Sequence, residues 1–403
     1  MKTLITIFIS ILTGIAIQRN LEFLDHSFNS CFEASVEIWN RYFRAKLTGW
    51  DRFQYIKLAS INITEAYEDF DKVALQFVEA LETDGFASVV GIPEFDSDEL
   101  QRACAWFFNL PQDVKFQLAK SVWKKGNPNS YRGYYPVKPG THSYKEAFEI
   151  GGFERTGDVT TKATVSDLRS SRTNSEGRPY MRDIVTEKNT WPGSGNRSED
   201  EWFKKVIRKN NMLYRNVSIT LLRMIEVGLG LRENHLVSMF DRETQVSTFR
   251  LLHYPSRVNT SEFVPDDARD GDVMIVTGEH HDTAMLTLLA TLGYGGLQIK
   301  PPRSQEWLHV PATKEHLTVN IGAMLMHMTK ERLIATNHRV LDIGRDRYSV
   351  PIFMECHFDA DISKTVDGDV NKYVEPFKKY GPWMANRTSQ FYEYATTDFG
   401  VVD

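Results

Sequence analysis

From residue 55 onwards, short apolar runs alternate with stretches whose apolar residues recur at helical spacing. Residues 55–61 alternate apolar and polar side chains, as a strand with one buried face does. Residues 65–83 place apolar side chains three or four positions apart, which predicts an amphipathic helix. Residues 86–90 are then predicted to form a strand and residues 96–108 a second helix. The pattern therefore predicts an N-terminal region of α/β type.

The second half of the chain is dominated by short β-like runs. A long helix is predicted first, over residues 201–231. The β-like runs that follow it, separated by turns that carry Gly, Pro, Asp or Asn, are 245–253, 272–277, 287–292, 297–300, 307–310, 317–321, 324–328, 337–340 and 349–354. Such a series favours an all-β sandwich or barrel over a parallel sheet. Aromatic residues in 373–394 predict a packing helix within a C-terminal tail, 359–403.

One long segment lacks this organisation. Residues 152–199 are rich in Thr, Ser, Arg, Asp and Gly and contain few apolar anchors. This composition is typical of a surface segment and not of a core element. The segment is therefore interpreted as a polar insertion, either a lid over a site or an insertion without a function of its own.

The overall balance of residue types is that of an ordinary folded protein. The chain has 403 residues, of which 41% are hydrophobic and 25% charged, and its formal net charge is -5. This length accommodates one large domain with additions, or two domains. Because no basic patch dominates, nucleic-acid binding is not expected. Cys31, Cys104 and Cys356 are too few and too far apart for a disulfide framework or a zinc ribbon.

The N-terminus has the residue order of a secretory leader. Lys2 precedes an uncharged stretch, residues 3–17, that is rich in Leu and Ile and holds small residues suited to cleavage at 14–16. This stretch is short for a stable membrane span. Residues 1–20 are interpreted as a signal or signal-anchor and residues 21–54 as an N-terminal extension. The expected location is the secretory pathway or ER lumen, and a buried helix in a cytoplasmic protein is the alternative.

The clearest chemical signal is the sequence GEHHDT at 278–283. If this is a strand, His280 and Asp282 share a face and present an imidazole and a carboxylate to one point. His281 with Asp282 is the competing pair. Adjacent strand residues point to opposite faces, so that pair could grip one ion only across a bulge. The sequence therefore favours His280, with His281 as a flanking polar residue.

A third ligand and a buried cation are predicted downstream. His338, in the sequence TNHRV at 336–340, would complete a set of two histidines and one carboxylate. This set, with open positions on the metal, is that of non-haem Fe(II) oxygenases. Arg347 and Ser349 are again two apart, and together they could clamp a carboxylate through charge-assisted hydrogen bonds. The hypothesis is an iron site with an anchored acid.

A series of short motifs extends this picture along the chain. In the N-terminal half the motifs are ETDGF at 82–86, FFNLP at 107–111, YRGY at 131–134 and KEAF at 145–148. In the C-terminal half they are HHD at 280–282, GGLQ at 295–298, VNIG at 319–322, NHRV at 337–340 and RYS at 347–349. In this order and at this spacing, the chain resembles the isopenicillin N synthase-like branch of the 2-oxoglutarate/Fe(II) oxygenases over roughly residues 56–358.

The resemblance implies a mainly β fold with flanking helices. Its core would be a double-stranded β-helix, or jelly roll, with an N-terminal α/β region. Residues 55–200 would form the non-haem dioxygenase N-terminal region, which holds the insertion 152–199. Residues 201–358 would supply the backing helix and the jelly roll that binds Fe(II) and 2-oxoglutarate, followed by the helical tail 359–403.

The resemblance also implies site residues and cofactors. The Fe(II) ligands that it implies are His280, Asp282 and His338. The residues implied to hold the far carboxylate of 2-oxoglutarate are Arg347, Ser349 and Tyr254. Leu252 stands where many plant members have Asn, a departure that bears on the role of Tyr254. With O2, such an enzyme would hydroxylate, desaturate or cyclise a small organic substrate and release succinate and CO2. A monomer is expected.

Three other functions fit parts of the same pattern. An Fe(II) oxidase like isopenicillin N synthase would use the same ligands without 2-oxoglutarate. A metal-binding protein without catalytic activity would hold zinc there, because zinc binds such ligands more tightly than Fe(II). A zinc hydrolase would need a carboxylate base, for which Glu279 is the neighbouring candidate.

Overall fold

A computed structural model describes residues 52–151, 173–240, 246–257, 263–391, 393–394 and 396–402. The predicted leader 1–20 lies outside these residues, as do the extension 21–54 up to residue 51 and residues 152–172 of the predicted insertion.

The described residues contain thirteen strands in two sheets. In chain order, the strands are β1 Ser60–Asn62, β2 Phe86–Val90, β3 Gly133–Tyr135, β4 Glu146–Gly151, β5 Thr248–Tyr254, β6 Arg269–Asp270, β7 Val273–His280, β8 Leu286–Ala290, β9 Leu297–Lys300, β10 Leu308–His309, β11 Leu317–Ile321, β12 Asn337–Leu341 and β13 Arg347–Met354. The larger sheet has the order β1-β2-β11-β8-β13-β5-β4-β3, and the smaller sheet β10-β9-β12-β7-β6. Neighbouring strands are antiparallel except β1 and β2.

Helices cover one face of the larger sheet. The helices are α1 Phe70–Thr83, α2 Ser97–Phe108, α3 Gln112–Gln117, α4 Met181–Val185, α5 Arg197–Gly228, α6 Ala323–Met328 and α7 Tyr380–Thr388. The three longest begin at side-chain caps, since Asp69, Asp96 and Asn196 each accept a hydrogen bond from a backbone N–H in the first turn. Both α1 and α2 pack against α5, which backs the sheet as its apolar spacing predicts. In the described residues no helix is both long and apolar enough to cross a membrane.

The side chains of β13 point alternately towards two apolar clusters. The larger cluster lies between the helices and the larger sheet and includes Val350, Ile352 and Met354. A second cluster lies between the two sheets and joins residues of both, such as Leu252 and Val276. Because strand residues alternate faces, the odd-numbered residues of β13 point into the space between the sheets.

Most predicted elements are present, with one change of type. The strands 86–90, 297–300 and 317–321 have the predicted bounds. The prediction of a β-like run at 324–328 was wrong, because Ala323–Met328 is a helix. Its Ala, Met and Leu residues are good helix formers and are almost all buried, so no amphipathic pattern separates the two structures.

Other bounds differ from those predicted. The first strand is limited to Ser60–Asn62, with Tyr55 making only an isolated bridge to His309. The C-terminal helix covers only Tyr380–Thr388, and the segment predicted as a polar insertion contains the short helix Met181–Val185 and the start of α5 at Arg197.

Candidate metal centre

The pairing of two strands of the smaller sheet brings the predicted ligands together. His280 ends β7, and His338 on β12 is its direct cross-strand partner. Opposed residues of antiparallel strands point to the same face, and the two imidazole ring centres lie 4.3 Å apart. Asp282 follows two residues after His280, with Oδ1 3.9 Å from Nε2 of His280 and 3.7 Å from Nε2 of His338. The three side chains form a group whose ligand atoms all lie within 4.8 Å of one another.

Hydrogen bonds fix which nitrogen of each histidine faces this point. Nδ1 of His280 donates to the carbonyl of Gly278 over 2.8 Å, and Nδ1 of His338 donates to the carbonyl of Thr336 over 3.2 Å. Because a neutral imidazole carries one N–H, each Nε2 keeps a free lone pair. Both histidines are thus held in the form that ligates a metal through Nε2.

The carboxylate is oriented in the same way. Oδ2 of Asp282 accepts hydrogen bonds from Oγ1 of Thr287 at 2.7 Å and from Nδ2 of Asn320 at 2.8 Å. Oδ1 is left to face the two imidazoles. The loop itself is held by α6, whose residue Ala323 donates its N–H to the carbonyl of Asp282. At Gly322, a Cβ atom would lie 2.1 Å from the carbonyl oxygen of Ala284, so only glycine allows this approach.

The electrostatics favour a cation at this point. Burial, and then the neighbouring His338, lower the pKa of His280 to about 3, so its imidazole is neutral at physiological pH. Burial acts to raise the pKa of Asp282, but His338, His280 and the two hydrogen bonds hold it below its usual range. Two imidazoles and one carboxylate are the donor set of a facial Fe(II) site, and the residues present therefore fit this ion.

The competing pair does not form at this point. His281 turns away from the group and its Nδ1 lies 3.2 Å from Oδ1 of Asn337. Glu279, the base that a zinc hydrolase would need, is exposed and accepts a hydrogen bond from Nδ2 of the same Asn337. The structure therefore groups His280, and not His281, with Asp282 and His338.

Arg347 is a buried cation in the space between the sheets. Its side chain is 2% exposed, donates through Nε to the carbonyl of Gly295 at 2.9 Å and through Nη1 to Oγ of Ser349 at 3.0 Å. Within the described part of the chain, no acid lies within ion-pair distance of its guanidinium. Burial lowers the pKa of Arg347. A buried cation without a counter-charge calls for an anionic ligand.

Tyr254 stands beside this cation. It is the cross-strand partner of Arg347, and its ring centre lies 4.7 Å from the guanidinium carbon. Leu252 is the partner of Ser349 and belongs to the apolar cluster between the sheets, as does Tyr254. Phe86 of the same cluster contacts the ring of His338 at 5.7 Å between ring centres. The triad and Arg347 therefore face one interior space.

A cavity of about 640 Å³ opens beside the triad. His280 and Asp282 lie on its wall, together with the segment before β4, residues from β5, β7 and β13, and the segment after α7. The buried charged side chains on this wall that sequence reasoning did not assign to the site include Lys145, Arg250, Glu355 and Glu393. Only Lys145 lies within a quoted motif; Arg250 is on β5, Glu355 directly follows β13 and Glu393 is in the tail, where no local pattern marks them.

Comparisons with known proteins give the family of this chain. Residues 247–355 match the 2OG-Fe(II) oxygenase superfamily, and residues 55–169 match the N-terminal region described as "non-haem dioxygenase in morphine synthesis". The 2-oxoglutarate-dependent dioxygenase gloF of Glarea lozoyensis is 30% identical over 291 residues, which are 68% of this chain and 79% of that protein. The 2-oxoglutarate-Fe(II) type oxidoreductase hxnY of Emericella nidulans is 28% identical over 290 residues, 70% of this chain and 73% of that protein.

The fold is also similar to that of solved structures. A Neurospora crassa structure in complex with alpha-KG and thymine superposes with a TM-score of 0.60 and 21% sequence identity, covering 82% of this chain and 96% of that one. The fold is the jelly roll that the resemblance implied, and the chain belongs to the 2OG-Fe(II) oxygenase superfamily. It is an oxidoreductase, a dioxygenase that depends on Fe(II), 2-oxoglutarate and O2.

Proposed function

We propose that His280, Asp282 and His338 hold the Fe(II) of this dioxygenase through Nε2, Oδ1 and Nε2. We further propose that Arg347, with Ser349 and Tyr254, holds the far carboxylate of 2-oxoglutarate. The observation that carries the proposal is the group itself, in which three donor atoms face one point while the remaining polar atom of each side chain is bonded elsewhere. Such outer hydrogen bonds orient metal ligands in known sites.

The chemistry divides between the cofactor and the chain. Fe(II) with 2-oxoglutarate and O2 supplies the oxidation of a substrate C–H bond, with release of succinate and CO2. The protein residues position the reactants. The Nδ1–H bonds to backbone carbonyls direct Nε2 of both imidazoles to one point, Arg347 neutralises the acid, and the apolar cluster between the sheets keeps water from the buried guanidinium.

The substrate that we propose is a small organic molecule bound in the cavity of about 640 Å³, a volume usual for small-molecule sites. The proposed reaction is hydroxylation, desaturation or ring closure of this molecule. The test is succinate formation by purified protein with Fe(II), 2-oxoglutarate and O2, with fractions of a metabolite extract added in turn. Succinate rising with one fraction supports the proposal, whereas oxygen uptake without succinate would favour the oxidase related to isopenicillin N synthase.

A hydrogen bond to Asp282 offers a test of the ligand geometry. Thr287→Val keeps the shape of the side chain but removes the bond to Oδ2, and loss of such an outer partner costs roughly 10- to 100-fold in metal affinity. Anaerobic calorimetry with Fe(II) measures the change. The matched control is Thr318→Val, because Thr318 is a buried threonine on β11 with no side-chain hydrogen bond among the described residues. Equal affinity in both variants would contradict the geometry.

We also propose that the chain enters the secretory pathway, with the ER lumen as its location. The support is the charge-then-apolar order of residues 1–20 together with sequons, which are at Asn62, Asn196, Asn216, Asn259 and Asn386. Asn196 and Asn216 are exposed and accessible to a glycosyltransferase. In a eukaryotic host, the protein is expected to carry glycosidase-sensitive glycans. Recovery from the cytosol without glycans would favour the cytoplasmic alternative.

A further inference from the structure

A buried network of charged side chains forms part of the cavity wall, and the dioxygenase chemistry does not account for it. Glu149 is fully buried and pairs with two cations, Lys120 at 2.6 Å and Arg250 at 2.6 Å. Lys145 pairs with Glu393 at 3.4 Å. Burying charges is costly, so a network of this kind beside a cavity calls for a reason other than stability.

Arg250 is held rigidly within this network. Its Nε donates to Oε1 of Glu149, and its Nη2 donates to Oη of Tyr394 at 3.4 Å. Tyr394 in turn donates to Glu149 at 2.9 Å. The guanidinium carbon lies 4.7 Å from the ring centre of Phe353. Three contacts thus fix the plane of the guanidinium group.

One edge of this guanidinium is left for a ligand. Nη1 of Arg250 has no hydrogen-bond partner among the described residues and is not sealed from the cavity, because the side chain is 16% exposed and lies on the cavity wall. An arginine whose Nε is paired and whose plane is fixed can still bind a carboxylate through its remaining N–H groups at little entropic cost.

The network also carries a net positive charge, which favours an anionic ligand. Burial lowers the pKa of Lys120, but the carboxylate of Glu149 at 2.6 Å favours its charged form. With each group in its usual charged form, Lys120, Lys145 and Arg250 carry three positive charges and Glu149 and Glu393 two negative charges, which leaves one positive charge. Other acids on the wall do not cancel it. Asp267 pairs with His142 at the exposed rim, and Glu279 is exposed.

Two further buried acids lie on the wall: Asp282, whose charge is matched by the proposed Fe(II), and Glu355. Glu355 is hydrogen-bonded by Tyr380, and burial, with the charge of Asp282 second, raises its pKa to about 8. At neutral pH it is therefore largely protonated and leaves the extra positive charge in place.

We infer that the substrate is an organic acid whose single carboxylate binds Nη1 of Arg250, with its apolar body against the aromatic side chains of the wall. Phe353 and Phe391 supply such a surface. The inference rests on the proposed function, since it names the class of substrate for that site. The 2-oxoglutarate has its own cation in Arg347, which is not among the described residues that line this cavity.

Matched acids and amides test the inference. Full-length protein is loaded with Fe(II) and saturating 2-oxoglutarate under anaerobic conditions, so that the co-substrate site is filled. Calorimetry then compares phenylacetate, 3-phenylpropanoate and 4-phenylbutanoate with their primary amides. Because a hydrogen bond to a charged group is worth about tenfold or more in affinity, at least one acid is expected to bind about tenfold more tightly than its amide.

Variants of Arg250 test whether this side chain causes the preference for acids over amides. Arg250→Met is expected to bring the ratio of acid to amide affinity close to one, and Arg250→Lys, which keeps the charge without the planar fork, to give an intermediate ratio. The control is Arg332→Met, because Arg332 pairs through Nε with Oε1 of Glu82 at 2.6 Å, the same geometry, and does not line the cavity. This variant is expected to keep the wild-type ratio.

Different results would contradict the inference about the substrate and the proposed function. Equal affinity for acids and amides, no binding of any acid, or an acid preference that survives in Arg250→Met would overturn the inference about the substrate. If Arg250→Met does not fold, the Arg250→Lys ratio and the wild-type comparison decide the question. Absence of succinate formation by the wild-type protein would instead count against the proposed function, whatever the acids show.

Discussion

His338→Ala is expected to abolish succinate formation by the purified protein. The variant removes one of three atoms that face the proposed ion, and no other described His, Cys, Asp or Glu groups with them to replace it. Since loss of an outer hydrogen bond alone costs roughly 10- to 100-fold in metal affinity or activity, loss of a ligand should cost at least about a hundredfold. Succinate release at saturating 2-oxoglutarate, together with Fe(II) affinity by anaerobic calorimetry, measures both effects. Asp282→Ala should behave in the same way.

The adjacent histidine provides the control for this experiment. His281→Ala removes an imidazole that is next to His280 in sequence but is directed towards Asn337. Its Fe(II) affinity should stay within about threefold of wild type, the ordinary scatter for a group outside the ligand set. Comparable losses in His281→Ala and His338→Ala, or wild-type turnover in His338→Ala, would exclude the assigned ligands.

Arg347→Ala is expected to raise the KM for 2-oxoglutarate by about 10- to 100-fold, because hydrogen bonds to a charged group contribute about 1.5–3 kcal/mol. The turnover rate at saturating co-substrate should fall much less, since the guanidinium is proposed to bind the far carboxylate and not the reacting end. Initial rates over a range of 2-oxoglutarate concentrations separate the two constants. Arg347→Lys should be intermediate, because a lysine keeps the charge but loses the planar fork.

A neighbouring arginine is the matched control for Arg347. Arg345 is exposed and stacks on Tyr294, with 5.4 Å between the guanidinium carbon and the ring centre. Arg345→Ala should leave the KM for 2-oxoglutarate unchanged. A large loss of turnover in Arg347→Ala without a change in KM would show that this residue supports the fold and does not bind the co-substrate.

The triad could be predicted from the sequence because two simple rules determine it. Residues two apart on a strand share a face, which links His280 to Asp282, and the order of the motifs places His338 on a later strand. The register that makes His338 the direct partner of His280 became known only from the structure. Strand pairing depends on contacts between distant parts of the chain, and a local pattern does not encode it.

The other charged residues of the cavity could not be predicted from the sequence. Arg250 lies in a predicted strand, and its neighbours in sequence do not indicate that Glu149 and Tyr394 will meet it. Those partners are 101 and 144 residues away. The helix Ala323–Met328 was mistaken for a strand for a related reason, because burial on nearly all sides removes the periodicity that distinguishes the two. Contacts between residues so far apart in sequence depend on tertiary packing, which a local pattern does not show.

Anaerobic addition of Fe(II) and 2-oxoglutarate to the purified protein tests the central assignment most directly. When both bind at one centre, electronic coupling between Fe(II) and the keto acid gives a visible charge-transfer band. The wild-type protein is predicted to develop this band at one equivalent of Fe(II), and His338→Ala to lack it at the same concentrations. A wild-type protein that stays colourless, or a His338→Ala variant that develops the full band, would contradict the assignment of His280, Asp282 and His338 as the iron ligands.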